Sequence, residues 1–274
     1  MKVALCCIGR LENQYAVEFV DWYKNLGFSK IYIYDNNHDG EEHFEDVLQA
    51  YIDDGFVEVI PFRNVENVQM RAYMDFYGKY GKEYDYIAYF DFDEFLVLKK
   101  HDNISDYLEW VNPSSEFDCI KINWMIYGDN EIIENDGRPL NERLTTPIGH
   151  DKKIGYPFPQ NNHTKSIVKG GLSRFGIGGT PHVPIIVEKT CNADGVRVDS
   201  SPFQEYTFEN AYIKHFSTKT LDEFIHNKMV RGLGDRTLAD YMKIVPLNDF
   251  FKINNITEEK IDYLRNNGFK VQVV

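Results

Sequence analysis

The chain has 274 residues, of which 43% are hydrophobic and 15% aromatic, which is enough for one large α/β domain or for one domain with a subdomain. Its formal net charge of −13 argues against non-specific nucleic-acid binding and against a basic, membrane-binding surface. A polyanionic ligand would therefore need a metal ion or local basic groups in order to bind.

Short apolar runs alternate with amphipathic segments in the N-terminal third. Strands are predicted over residues 3–8, 31–34 and 56–60, and helices over residues 12–26, 44–52 and 68–80, where apolar residues recur with helical spacing. This order with short loops is typical of a parallel sheet with helices on both faces. Gly9 lacks the partner glycines of a G-x-G-x-x-G fingerprint, so we do not expect NAD or FAD.

A fourth apolar run, Tyr86 to Leu96, carries three carboxylates among its phenylalanines: Asp91, Asp93 and Glu94. In a regular buried strand Asp91 and Asp93 would share a face, and two close carboxylates repel each other unless a cation lies between them. Their hard oxygen atoms suit Mg²⁺ or Mn²⁺, which can bridge to the phosphates of a substrate. The alternative interpretation is a strand that runs into a solvated acidic turn.

The periodicity fades in the second half of the chain. Strands are predicted over residues 117–124, 165–169, 184–187 and 211–216, and helices over residues 103–111, from a Thr220–Glu223 capping box to Arg231, and from Thr257 to Gly268. The stretch from Tyr127 to about Gly179 is rich in glycine, proline, asparagine and charge, a composition that in compact domains marks functional or disordered segments. No repeat or linker divides the chain, so we expect a single domain over residues 1–274.

The cysteines and the apolar runs bear on the compartment. None of the four cysteines forms a C-x-x-C pair, which favours buried, reduced thiols. No apolar run has the length of a membrane span, and residues 3–8 are too short for a secretory signal. We therefore expect a cytoplasmic protein.

Four motifs, in this order, resemble glycosyltransferases of GT-A fold, the group similar to family 2 that includes glycosyltransferase family 92. They are Ile-Tyr-Ile-Tyr-Asp-Asn-Asn from Ile31, Tyr-Phe-Asp-Phe-Asp-Glu-Phe from Tyr89, Ile-Asn-Trp from Ile122, and His-Phe-Ser-Thr-Lys-Thr-Leu-Asp-Glu-Phe from His215. The resemblance spans Val3 to Gly232 and implies an α/β fold with a mixed, mainly parallel sheet flanked by helices. Residues 1–100 would form the nucleotide-sugar half, and residues 101–274 an irregular acceptor half with C-terminal helices.

The resemblance also implies roles for single residues. Asp91, Asp93 and His215 would hold a divalent cation, Mn²⁺ or Mg²⁺, and Glu94 would lie near the donor sugar. The nucleotide and its diphosphate would be bound by Arg10, Asp35, Asn36, Gln69, Asp91, Phe92, Lys219 and Arg231. Several of these have a structural alternative: His215 as an ordinary buried residue, Arg10 in an ion pair or a helix cap, Asp35 in an Asx turn, and Arg231 with Lys228 at a solvated helix end.

The implied reaction is transfer of a hexose from a nucleoside-diphosphate sugar, a UDP-sugar in the first place, to a glycan or lipid-linked acceptor with inversion. Inversion needs a base for the acceptor hydroxyl, and the residues do not identify it. Glu142 is our choice, His182 is the second candidate, and Asp194 and Glu205 stay open. Trp124, with Tyr127, Tyr156 and Phe158, would stack on sugar faces. By analogy we also expect peripheral association with the inner membrane face.

Two other functions compete with the transferase. Phosphatases of haloacid-dehalogenase type also place D-x-D after an apolar strand, but they have it on the first strand, whereas three strands precede it here. A non-catalytic carbohydrate-binding protein would bind sugar without a metal and would tolerate the loss of Asp93.

Overall fold

The computed structural model describes residues 1–65, 68–153, 157, 159–173, 180–182, 189–231 and 246–269. The strands in this part are β1 Val3–Gly9, β2 Lys30–Asp35, β3 Val57–Pro61, β4 Tyr86–Tyr89, β5 Glu94–Leu98, β6 Cys119–Ile126, β7 Thr164–Lys169, β8 Thr190–Asn192, β9 Arg197–Val198 and β10 Ala211–His215. The α-helices are α1 Asn13–Asn25, α2 Glu45–Asp53, α3 Gln69–Tyr80, α4 Ile104–Val111, α5 Leu140–Arg143, α6 Leu221–Phe224, α7 Pro246–Ile253 and α8 Glu258–Asn266. A 3₁₀ turn covers Gln160–Asn162, and a π-helical segment covers Ile225–Arg231.

One mixed sheet organises the chain, with the strand order β3-β2-β1-β4-β7-β6-β10-β5. The block β3-β2-β1-β4 is parallel. Strand β7 is antiparallel to both β4 and β6, and β10 is parallel to β6. It follows that β1, β2, β4, β6 and β10 all point the same way, so their carboxyl ends meet at one edge of the sheet, where α/β proteins place their ligands.

Alternate residues of β1 pack into two different layers. Val3, Leu5 and Cys7 belong to the larger core, which includes the buried face of α1. Ala4 and Cys6 belong to a second core together with the aromatic face of α3. This alternation is the period of a strand buried on both faces, and it confirms the predicted sheet with helices on either side. All four cysteines are buried as free thiols.

Helix ends follow the polar residues that the sequence provides. Asn103 caps α4 by accepting a hydrogen bond from the Asp106 amide at 2.9 Å, and the predicted Thr220–Glu223 capping box opens α6. The predicted helix from Thr220 to Arg231 is α-helical only as far as Phe224, after which it continues as the π-helical segment. The sequence did not predict α5 or α7, and the strand predicted over residues 184–187 lies outside the described residues.

The strand that begins at Tyr86 is shorter than predicted, because it ends at Tyr89 and not at Asp91, and a second strand, β5, begins at Glu94. Strand β4 ends at Tyr89, and residues 90–93 form a turn. The next strand, β5, lies at the opposite edge of the sheet from β3, where it pairs with β10. The turn is closed by the Glu94 amide, which donates to the Asp91 carbonyl at 2.9 Å. Asp91 and Asp93 therefore lie on a turn and face different partners instead of sharing one strand face.

Among the described helices, none combines the length and the apolar character that crossing a membrane requires.

Candidate active site

The predicted site residues converge at the edge where the parallel strands end. Arg10 follows β1, Asp35 ends β2, the Asp91–Asp93 turn follows β4, and His215 ends β10. Residues far apart in the chain are thus brought to one edge by the strand order alone.

Asp93 is held by a lysine from the turn after β10. The Lys219 ammonium donates to Asp93 Oδ2 at 3.0 Å and is itself buried, lying 4.9 Å from the centre of the Tyr15 ring. Lys219 has a φ of 55°, a left-handed conformation that is unfavourable for a residue with a side chain. The backbone is therefore strained at the residue that contacts Asp93. Burial raises the pKa of Asp93, but Lys219 and His215 outweigh it and hold that pKa well below its usual range.

His215 faces the other oxygen of Asp93. Its Nε2 lies 3.8 Å from Asp93 Oδ1, which is longer than a hydrogen bond, and its ring packs 4.1 Å from the centre of Trp124. Burial lowers the pKa of His215 to about 3, so the imidazole is neutral at physiological pH. Its Nδ1 is buried and finds no hydrogen-bond partner in the part of the chain that the structure describes.

The Asp93–His215 pair fits a divalent cation. A carboxylate oxygen and a neutral imidazole nitrogen are ligands that Mn²⁺ accepts, and the two atoms are separated by more than a hydrogen bond. The depressed pKa keeps Asp93 ionised, as a metal ligand must be. The ammonium of Lys219 occupies Oδ2, so Oδ1 is the oxygen that faces the histidine.

Asp91 is held by three donors. Gln69 Nε2 at 2.9 Å and the Tyr73 hydroxyl at 3.1 Å donate to Oδ1, and the Lys165 ammonium donates to Oδ2 at 2.7 Å. A third of the Asp91 side chain stays exposed. Gln69 therefore belongs to the site as predicted from the resemblance, but it contacts Asp91, and its role toward a nucleotide stays a prediction.

Glu94 is fully buried behind the turn. Its Oε1 accepts from Trp124 Nε1 at 2.9 Å, and its Oε2 accepts from the Asp91 amide at 2.9 Å and lies 3.3 Å from the Lys165 ammonium. Burial raises the pKa of Glu94 although Lys165 opposes this shift. Its described contacts brace the turn, and a contact with the donor sugar stays a prediction.

Trp124 is enclosed by histidine rings. His163 stacks on it with 5.0 Å between ring centres, and His182 meets it edge-on at 4.9 Å. With His215 on the same indole, Trp124 is 7% exposed. Its stacking on a sugar therefore stays a prediction, whereas its contacts connect β6 to Glu94.

The residues predicted at the nucleotide edge are already paired. Arg10 forms an ion pair with Glu41 at 2.6 Å and holds the pKa of Glu41 at about 2. Asp35 accepts from the Asn37 amide at 3.0 Å, which is an Asx turn, and also binds Arg63 at 2.7 Å. Both structural alternatives considered from the sequence are thus observed, and nucleotide contacts of these residues stay predictions.

Asn36 and Phe92 position the backbone. The Asn36 amide group donates to the carbonyls of Phe62 and Val65, which ties β2 to the loop after β3. The Phe92 ring is buried and stacks 5.2 Å from Phe44, so it anchors the turn between the two aspartates. The Arg231 side chain lies outside the described residues, as do Tyr156 and Phe158.

A second cluster of potential ligands consists of Asp35, His43 and Glu45, whose ligand atoms lie within 4.8 Å of one another. The Arg63 guanidinium is at its centre, 2.7 Å from Asp35 Oδ2 and 2.8 Å from His43 Nδ1. Because Arg63 already pairs with Asp35 and contacts the ring nitrogen of His43, two of the three potential ligands are engaged.

The two candidate bases lie in different places. His182 packs on Trp124, and its Nδ1 lies 3.0 Å from the Thr164 carbonyl. Glu142 is exposed on α5, where its neighbour Arg143 pairs with Glu223. The structure therefore brings His182, and not Glu142, next to the residues around Glu94.

Sequence reasoning missed Lys165, Tyr73, Arg63 and His163. A signal existed for Lys165, because a lysine inside a short apolar strand needs polar partners for its ammonium when it is buried. No such signal existed for the other three, since tyrosine, arginine and histidine in these patterns also occur at core and surface positions outside functional sites.

Comparison with known proteins was made against families, curated sequences and solved structures. The model of glycosyltransferase family 92 matches residues 3–254. The comparison with curated proteins gives no match. Among solved structures, S. aureus TarS superposes with a TM-score of 0.41 and 9% identity over 93% of this chain and 44% of TarS, so the chain spans less than half of that protein.

Two further structures are similar with comparably low TM-scores and sequence identities. Residues 1–349 of S. aureus TarS, in complex with UDP, give a TM-score of 0.43 and 11% identity over 97% of this chain and 78% of that one. The mannosyltransferase PcManGT from Pyrobaculum calidifontis, in complex with GDP-Man and Mn²⁺, gives a TM-score of 0.34 and 8% identity. This match covers 44% of this chain and 35% of PcManGT. The mixed, mainly parallel sheet agrees with the predicted α/β fold class. The assignment rests on the family match, which spans nearly the whole chain and confirms the resemblance and the predicted enzyme class: the chain belongs to glycosyltransferase family 92.

Proposed function

We propose that this glycosyltransferase moves a hexose from a nucleoside-diphosphate sugar, a UDP-sugar in the first place, to a hydroxyl of a glycan or lipid-linked saccharide with inversion. The observation that carries this proposal is the meeting of Asp93, His215 and Lys219 at the carboxyl edge of the sheet. An acid, a neutral imidazole and an ammonium in one place suit a cation and a diphosphate together.

Asp93 Oδ1 and His215 Nε2 would hold the divalent cation, Mn²⁺ or Mg²⁺. When bound, the cation would stabilise the negative charge of the leaving diphosphate. Lys219 adds an ammonium at the same place, and Lys228 is close enough to lower the pKa of Asp93. These lysines supply the local positive charge that a protein with a net charge of −13 needs in order to bind a diphosphate.

We assign the base to His182 in preference to Glu142. The Thr164 carbonyl only accepts hydrogen bonds, so the His182 proton sits on Nδ1 and the lone pair on Nε2. Burial, reinforced by the Lys165 charge, lowers the pKa of His182 to about 3, so the imidazole is neutral at physiological pH but a weak base, and the assignment rests on its position against Trp124.

A cavity of about 430 Å³ at the carboxyl end of β6 is our proposal for the acceptor site. Its lining combines polar and apolar surface and lies largely in the irregular stretch predicted for the acceptor, with Asp129, Asn130, Glu131 and Lys152 among its residues. Asn254 lines it too and donates to the Thr218 hydroxyl at 3.1 Å, next to Lys219. Carboxylate and amide groups are hydrogen-bond partners for sugar hydroxyls.

Calorimetric titration with UDP and with GDP, each with and without Mn²⁺, tests the proposal. We expect Mn²⁺-dependent binding of one nucleotide, weakened at least about tenfold in both Asp93→Asn and His215→Ala because each removes a ligand. Asp136→Asn, which changes an exposed aspartate paired with Arg138, is the matched control and should bind as wild type does. The proposal is wrong if neither nucleotide binds under any metal condition.

A further inference from the structure

Lys165 is a fully buried lysine beside the D-x-D turn. Strand β7 pairs with β4 as far as Ser166 opposite Tyr89, so Lys165 extends past the end of β4 and reaches the turn. Its ammonium lies 2.7 Å from Asp91 Oδ2 and 3.3 Å from Glu94 Oε2. An ammonium without water is very costly unless carboxylates surround it, and two of them do so here.

The two aspartates of the motif are consequently not equivalent. Asp91 is fixed on both oxygens, by Gln69 and Tyr73 on one side and by Lys165 on the other. Asp93 keeps Oδ1 directed toward His215. With Lys165 in place, Asp91 is charge-paired on one oxygen and hydrogen-bonded on the other, whereas Asp93 has one oxygen directed toward the imidazole of His215.

We propose that Lys165 is a positioning residue of the donor site, which locks Asp91 and Glu94 so that the turn presents Asp93 alone to the cation. The inference rests on the proposed function, because it assigns a division of labour within that site. Lys165 also supplies one of the positive charges near a bound diphosphate.

Removing Lys165 has opposite consequences for the two ligands. Without its ammonium, Asp91 becomes free to coordinate, and the carboxylates at the turn attract a divalent cation more strongly. The same loss makes the site more negative by one charge, which repels the diphosphate. A merely structural lysine would not shift the two affinities in opposite directions.

The test compares Lys165→Met with Lys121→Met. Lys121 on the neighbouring strand β6 is equally buried, but its ammonium donates to the Ser166 hydroxyl and the His182 carbonyl. We expect Lys165→Met to bind Mn²⁺ alone about threefold more tightly and UDP with Mn²⁺ about tenfold more weakly, and Lys121→Met to match wild type in both titrations.

Two further variants keep the test decisive. The double variant Lys165→Met with Glu94→Gln removes the buried ammonium together with one buried carboxylate. It therefore avoids leaving the Glu94 charge buried without a partner, and Asp91 still loses its lysine. In an Asp91→Asn background, adding Lys165→Met should leave Mn²⁺ affinity unchanged, because Lys165 controls the cation through Asp91. Unchanged Mn²⁺ and UDP affinities in Lys165→Met, unchanged Mn²⁺ affinity in Lys165→Met with Glu94→Gln, or equal changes in Lys121→Met overturn the inference, whereas failure of wild type to bind any nucleotide overturns the proposed function itself.

Discussion

At the scale of single residues, the site is built from charged groups that are paired before any ligand arrives. The ion pairs are Asp93 with Lys219, Asp91 with Lys165, and Glu223 with Arg143. Buried charges of this kind are tolerated only as pairs, so the cost of removing one partner is larger than the value of the pair itself. This makes the pairs sensitive targets for mutation.

The Arg143–Glu223 pair fixes the helix that follows Lys219. Arg143 Nη1 donates to Glu223 Oε2 at 2.8 Å, and the Tyr15 hydroxyl donates to Oε1 at 2.6 Å. Glu223→Gln leaves Arg143 buried without its counter-ion, and we expect a loss of about 3 kcal/mol in the free energy of unfolding at pH 7. Urea unfolding monitored by circular dichroism measures it, and Asp136→Asn, in an exposed pair, should change little.

The same pair predicts a pH dependence. Burial raises the pKa of Glu223, but the bonds from Arg143, Thr220 and Tyr15 outweigh it and lower the pKa from 4.5 to about 2. A depressed carboxyl pKa stabilises the fold above pH 4.5, and this contribution is lost as the pH falls toward 2. The gap between wild type and Glu223→Gln should therefore shrink from pH 5 to pH 3, and a constant gap would contradict the assignment.

At the scale of elements, the D-x-D turn depends on the end of β1. A Cβ atom added to Gly9 would lie 2.5 Å from the Phe92 ring and 2.7 Å from the Phe44 ring. Both rings are buried and stacked on each other, so neither is free to move aside. The absence of a side chain at Gly9 lets Phe92 seat the turn between Asp91 and Asp93.

Gly9→Ala should therefore disturb the turn as well as the core. Overpacking of this kind costs about 1–3 kcal/mol of unfolding free energy, and the displaced Phe92 would weaken Mn²⁺-dependent nucleotide binding. Gly78→Ala is the matched control, since Gly78 is exposed within α3 and its added Cβ would meet open space. Helix propensity predicts that this control gains up to about 1 kcal/mol, so thermal unfolding should move in opposite directions in the two variants.

At the scale of the whole molecule, periodicity predicted the parallel block of strands well, because β1, β2 and β4 are buried on both faces and the helices between them each have one apolar stripe. It failed at Tyr86 to Leu96, where phenylalanines continue through a turn whose polar groups find buried partners. It also missed Lys165, since the partners of a lysine in β7 come from the turn after β4 and from the first residue of β5, and only the strand order brings them together. An ordered set of motifs predicted that the aspartates and His215 belong to one site, and they do lie at one edge of the sheet, whereas their role as metal ligands stays a prediction.

The segment between His215 and Thr220 contacts the D-x-D turn through Lys219 and the proposed acceptor cavity through Thr218, and we predict that donor and acceptor binding can be separated. Gly149 lines the proposed acceptor cavity, and a Cβ atom there would meet nothing within 4 Å, so Gly149→Trp fills the cavity without a clash at the backbone. We expect it to keep UDP affinity and hydrolysis of the sugar nucleotide while losing at least about tenfold in transfer to a panel of p-nitrophenyl glycosides, because only the acceptor loses its place.

Gly78→Trp, on the exposed face of α3, is the control for adding an indole to the surface, and it should retain both activities. Transfer by Gly149→Trp at the wild-type rate would place the acceptor elsewhere. Equal loss of hydrolysis and transfer would mean that the cavity serves the donor, since a group that binds only the acceptor cannot affect the reaction of the sugar nucleotide with water.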